Sequence, residues 1–190
     1  MFIKACRDTV DYGVKNEKCT TNEGLKVKVE VTADELMEMR DGNALYCDAS
    51  WKDDTIARVG YVIANQNEWK IIGACLTKAG NALKAELNSI RIGLETAVKK
   101  KFNIPLVYSD CKVAIMILLG RQRASWDMEN LVRCIHKLGE TVEVRNWVYV
   151  NRKRNEIAYA AARLSLYCNI LGIWSSKKNH FDKLEEIEQD

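Results

Sequence analysis

Residues 44–76 read ALYCDASWKDDTIARVGYVIANQNEWKIIGACL. Apolar, β-branched and aromatic runs alternate here with short polar breaks. ALYCDAS reads as a strand and WKDDT as the turn after it. Residues 59–64 and 69–76 read as two more strands, joined at Asn65-Gln66-Asn67. Three strands with such short connections form an antiparallel meander.

The period changes after residue 80. Leu83, Leu87, Ile90, Leu94, Ala97 and Val98 recur at three- and four-residue steps, which predicts a helix over 82–102 with one buried stripe. Lys99, Lys100 and Lys101 close it, where cations offset the helix dipole. PLVYS, from Pro105, is a short buried strand. Helices over 112–119 and 126–138, a long strand over 142–150 and a last helix over 155–171 complete the pattern. The order is β-β-β-α-β-α-α-β-α. Strands reached through helices pair in parallel, so the fold class is α/β: a mixed five-stranded sheet, meander plus parallel strands, with helices on both faces.

This domain is expected to span 44–174. A leader over 1–43 precedes it, with an alternating strand at 25–31 and a short helix after Thr32, where Glu35 completes capping-box spacing. Residues 175–190 read as a charged tail outside the core. The 190 residues carry a net charge of +3, too small a total to announce a nucleic-acid partner, so any such footprint must come from how the charge is arranged. Seven cysteines without a CxxC pair, and two histidines far from ligand spacing, argue against zinc and for reduced thiols in an intracellular protein, nuclear or cytoplasmic. The longest apolar run, 113–119, is too short for a membrane span, and the amino terminus has no signal-peptide core.

Two aspartates and one glutamate stand out by position. Asp48 lies near the end of the first strand, Asp110 just after the fourth, and Glu86 near the start of the long helix, beside its buried stripe. Carboxylates delivered from three elements to one point suit magnesium or manganese, which take oxygen ligands. Holding them together without a cation costs stability, because two charges about 4 Å apart repel by roughly 4 kcal/mol at an effective dielectric near 20.

YCDAS-W, KAELNS and YSDCK resemble, in order, the first three motifs of the ribonuclease H type 1 fold. The resemblance is to the reverse-transcriptase-associated branch found in plant genomes, of retrotransposon origin. It extends to Gly60, Gly73 and the segment 152–162. It implies a metal-dependent endonuclease, a hydrolase of the RNA strand of RNA/DNA hybrids, with Asp48, Glu86 and Asp110 as catalytic metal ligands. The fourth motif departs from the pattern. Arg152, Asn155 and Ala158 match, but Tyr149 stands at the family's histidine and Tyr159 at its last aspartate. Neutral tyrosine, with a pKa near 10, ligates magnesium and shuttles protons poorly. Glu156, three residues before Tyr159, is either a substitute ligand or a first-turn capping residue.

The resemblance also implies contacts to the hybrid's minor groove from Asn81 and Asn88. Phosphate contacts are expected from Arg121 and Arg123, from Arg133 and Lys137, and from Arg152, Lys153 and Arg154. Trp126 reads either as a base platform or as core. Three readings follow: a working nuclease weakened by its tyrosines, a catalytically lapsed module that binds nucleic acid or protein, or a purely structural piece whose leader docks on a partner, its strand at 25–31 pairing with a sheet edge.

Overall fold

The computed structural model describes residues 42–51, 55–65, 68–167, 172–175 and 180–183. The strand expected at 25–31 and the helix after Thr32 lie outside them. The meander forms as the sequence predicts: β1 (Ala44–Trp51), β2 (Ile56–Ala64) and β3 (Trp69–Lys78) pair antiparallel, with Asp48 opposite Gly60 and Tyr61 opposite Gly73. Helix α1 (Ala82–Lys100) then leads to β4 (Leu106–Ser109), and α2 (Lys112–Leu118) follows it. A 3-10 turn (Trp126–Met128) opens into α3 (Glu129–Thr141). Strand β5 (Asn146–Tyr149), helix α4 (Glu156–Tyr167), β6 (Gly172–Ser175) and β7 (His180–Lys183) complete the chain.

Two expectations are corrected. The sheet has seven strands, in the order β5-β4-β1-β2-β3-β6-β7, not five. The segment expected to be a tail supplies β7, and β6 hydrogen-bonds antiparallel along residues 71–74 of β3. Each strand has four residues, too few for an alternation to be read against the charged residues around them.

The strand expected over 142–150 begins only at Asn146. Val142 ends α3, its N–H donating to the Leu138 carbonyl (3.1 Å) and its own carbonyl accepting from Ile104 (2.8 Å). Glu143 turns the chain through φ 61°, and the Val144 N–H returns to the Gly139 carbonyl at 2.8 Å. Backbone groups engaged in closing a helix are not free for a ladder, however strand-like their side chains.

Strand alternation divides the core between the two faces. Leu45, Cys47, Tyr61, Ile63 and Ile71 pack with Leu87, Ile90 and Leu94 of α1 and Ile135 of α3. Val62 and Ile72 pack on Ala158 and Ala161 of α4. Helices therefore cover both faces, as the α/β order requires. Gly73 leaves room for the Tyr61 ring, whose hydroxyl meets Thr96 Oγ1 at 2.8 Å. At Gly60 the neighbour is backbone, because any Cβ there would run into the Ala162 amide nitrogen and the Ala158 carbonyl oxygen. The backbone of α4 thus lies directly on β2.

Candidate active site

Parallel pairing of β1 with β4 ends at Cys47 beside Ser109, so Asp48, still within β1 and opposite Gly60, and Asp110, the residue after β4, follow side by side at the same end. Helix α1 adds Glu86 from its second turn. Asn81 fixes the start of that helix by accepting the Lys84 N–H at 2.8 Å. One oxygen from each of Asp48, Glu86 and Asp110 lies within 4.8 Å of the others. Among the described residues this is the one such grouping of potential metal ligands.

The cluster is buried at a cost. Asp48 is 1 % exposed, and neither its Oδ2 nor Glu86 Oε2 has a hydrogen-bond partner in the described protein. Burial first, then the charge of Asp110 and a carboxyl–carboxylate hydrogen bond to it, push the Asp48 pKa from 3.8 up to about 8. Burial, with Asp48 and Asp110 adding to it, pushes Glu86 from 4.5 to about 9, although Glu86 accepts a backbone hydrogen bond from Ala49. Two buried acceptors without donors, on three converging acids, fit a hard divalent cation, whose coordination would satisfy them.

Asn155 holds the arrangement together, a role that the motif match alone did not reveal. It stands just ahead of α4, is 1 % exposed, and its Nδ2 donates both to the Cys47 carbonyl (2.7 Å) and to Asp110 Oδ1 (3.1 Å). It thereby ties β1, the segment after β4 and the start of α4 to one another. Asn155→Ala leaves the buried Cys47 carbonyl without this donor and should cost about 1–3 kcal/mol, a fall of roughly 3–8 °C in a thermal melt. An unchanged melt would show that the bridge is dispensable.

The remaining predicted residues divide by position. Arg152 reaches the site, its Nε 3.9 Å from Asp110 Oδ2 and its guanidinium 4.3 Å from the centre of the Tyr159 ring. Tyr159 also accepts a hydrogen bond from Arg163 at 2.9 Å, a partner that sequence reasoning did not pick out. Glu156 is exposed and stands outside the carboxylate cluster. Tyr149 is half exposed at the end of β5. Asn88 is buried, donating to the Lys78 carbonyl at 3.1 Å and accepting from Arg91 Nε. Both asparagine amides near α1 are therefore engaged within the protein.

Arg121, Arg123, Arg133, Lys137 and Lys153 are exposed, and Arg154 is half-buried over the Tyr108 ring. Trp126 is 86 % exposed, which corrects the reading of it as core. A cavity of about 480 Å³ between α2 and β5, with Ile115, Leu119, Arg121 and Trp147 among its walls, includes none of the three carboxylates.

The sequence pattern described as "Reverse transcriptase-like" matches residues 46–165, which contain all three carboxylates, Asn155 and Tyr159. The chain belongs to the reverse transcriptase-like family. No curated protein matches it in sequence.

Solved structures agree with this family's fold. The ribonuclease H1 of the halophilic archaeon Halobacterium salinarum NRC-1 is 22 % identical, with 65 % of this chain and 96 % of that chain covered at a TM-score of 0.56. The amino-terminal ribonuclease H domain of rv2228c from Mycobacterium tuberculosis matches at 22 % identity over 63 % and 94 %, also at 0.56. A ribonuclease H1 called LC11, solved in complex with an RNA/DNA hybrid, is 15 % identical over 65 % and 99 %, again at 0.56. The fold is therefore ribonuclease H-like, as the motif order implied. Among the described residues no helix is long and apolar enough to cross a membrane.

Proposed function

We propose that the chain is a divalent-metal-dependent nuclease that hydrolyses the RNA strand of RNA/DNA hybrids at Asp48, Glu86 and Asp110. The observation that carries this reading is the convergence of three acids within 4.8 Å, two of them keeping buried oxygens without donors. A fold that maintains such repulsion gains from it only when a cation binds there. Magnesium or manganese bound at these oxygens would supply Lewis acidity to a phosphodiester oxygen and lower the pKa of an attacking water.

The protein's own part is positioning. Asp48 and Asp110 are held by the β1–β4 pairing, Asp110 also by Asn155, and Glu86 by the anchored start of α1. Hydrolysis joins the water oxygen to phosphorus as the bond to the leaving oxygen breaks. One proton leaves the water and one reaches the leaving oxygen. The exposed cations Arg121, Arg123, Arg133 and Lys137 and the exposed ring of Trp126 offer phosphate contacts and a stacking platform for the hybrid. LC11, solved with an RNA/DNA hybrid, shares the fold.

A second reading has its own observation. Tyr159 occupies the position of the fourth family carboxylate and is held between Arg152 and Arg163. That arrangement favours a lapsed enzyme that still binds nucleic acid. Cleavage of a labelled RNA/DNA hybrid, with duplex RNA and duplex DNA as controls, separates the two. The nuclease cuts only the RNA of the hybrid, in magnesium or manganese and not in chelator. Its melting temperature also rises with either ion, stabilisation reaching about 2.7 kcal/mol at a hundredfold excess over Kd. Tight hybrid binding with no cleavage in either ion would establish the lapsed module.

A further inference from the structure

The acceptors around the carboxylates are unequally free. Asp48 Oδ2 and Glu86 Oε2 are open, whereas Asp110 has Asn155 Nδ2 on one oxygen and the Arg152 guanidinium facing the other. The open oxygens therefore define one cation position. Beside Asp110 Oδ2 the charge is already positive. Arg152 lies over the Tyr159 ring, and Arg163 approaches the same ring to 5.4 Å while donating to its hydroxyl. A second dication placed there would meet two guanidiniums and a phenol ring in place of a carboxylate. The Arg152 side chain is 65 % exposed, so its remaining N–H groups are open to an incoming phosphate.

We infer that the site takes one divalent ion, held by Asp48, Glu86 and Asp110, and that Arg152, laid on Tyr159, supplies to the phosphodiester the positive charge that a second ion would otherwise provide. The inference rests on the nuclease reading and goes beyond it by fixing the ion count and by giving Arg152, already expected to contact phosphate, the part of a second ion. Arginine suits this place because its planar fork stacks on an aromatic face and still grips two phosphate oxygens. Lysine, a point charge, would stack less well.

Manganese titration of the metal-free protein, followed by calorimetry and by the free-ion electron paramagnetic resonance signal, tests the count without needing turnover. Wild type should take up one ion per chain. The double variant Arg152→Gln/Tyr159→Asp, which removes the cation and restores a carboxylate, should take up two. Two ions in wild type, falling to one in Glu156→Gln, would overturn the inference and leave the nuclease reading standing. No ion in wild type would overturn both. A single ion in the double variant would show that Arg152 and Tyr159 do not decide the count.

The role of Arg152 has a second readout. Arg152→Gln should keep the single manganese site but lower hybrid cleavage on the order of 10²-fold, with Arg152→Lys recovering only part of it. Unchanged cleavage in Arg152→Gln would remove Arg152 from contact with the phosphate.

Discussion

Under the proposed function, Asp48→Asn should remove hybrid cleavage and, without metal, make the protein more stable. The loss of activity should be on the order of 10³-fold or more, because the substitution takes a ligand from the centre of the only grouping of potential metal ligands among the described residues. The gain in stability has a separate origin. Asp48 is buried, faces Asp110 and adds to the charge felt by Glu86. An amide of the same shape keeps the packing and ends the repulsion, a change worth about 2 kcal/mol of the roughly 4 kcal/mol expected for two charges at this spacing. At pH 8 in chelator the variant should melt about 5 °C above wild type, and magnesium should reverse the order by stabilising wild type alone. Opposite signs for activity and stability mark a site kept for chemistry. A variant that lost activity and stability together would instead make Asp48 part of the fold's support.

Metal-free stability should also fall steeply as pH rises. Asp48 and Glu86 titrate in the folded protein near 8 and 9, against 3.8 and 4.5 when unperturbed. Raised carboxylate values mean that the folded state holds its protons more tightly than the unfolded chain does. Between about pH 4 and pH 9 the folded form therefore carries more protons, and each rise in pH favours unfolding. The stabilisation is complete below pH 4 and is lost as pH passes through the folded values. A shift of about four units corresponds to roughly 5 kcal/mol. Burial leads both shifts and mutual repulsion comes second, so the pair together should give at least this order. Urea melts at pH 5 and pH 9 in chelator should differ by this order. The slope should flatten in saturating magnesium, which replaces the protons, and be roughly halved in Asp48→Asn. A flat profile in chelator would mean that the carboxylates are solvated and the cluster is open.

What the sequence disclosed and what it concealed have physical reasons. Asp48, Glu86 and Asp110 were legible because each sits at a fixed place in a strong element: near a strand end, in the second turn of a 19-residue helix, and one residue past a buried strand. The helix α1 stripe was legible because its period persists over many residues, and β1–β3 because their apolar runs stand between short polar breaks. The end of α3 misled because Val142 and Val144 are as apolar as strand residues, while their backbones close a helix. Strands β6 and β7 were hidden by their shortness. The grip of Asn155 on Cys47 joins residues 108 positions apart, and no local pattern reports a contact at that distance. Trp126 was ambiguous for the opposite reason, since its exposure depends on where the chain turns rather than on its neighbours in sequence.

The contact between Gly60 and α4 bears on how this domain changes over evolutionary time. The two points where the helix backbone rests on β2 are Ala158 and Ala162, so residue 159 is carried between two fixed supports. Its Cα does not depend on its own side chain for its place. A single substitution there can exchange an aromatic ring for an acid without disturbing the frame, and a later one can reverse it. Under the proposed function, a point mutation at residue 159 should therefore change the strength of hydrolysis while the architecture stays intact. The seam separates the support of this helix from the chemistry of the side chain it carries.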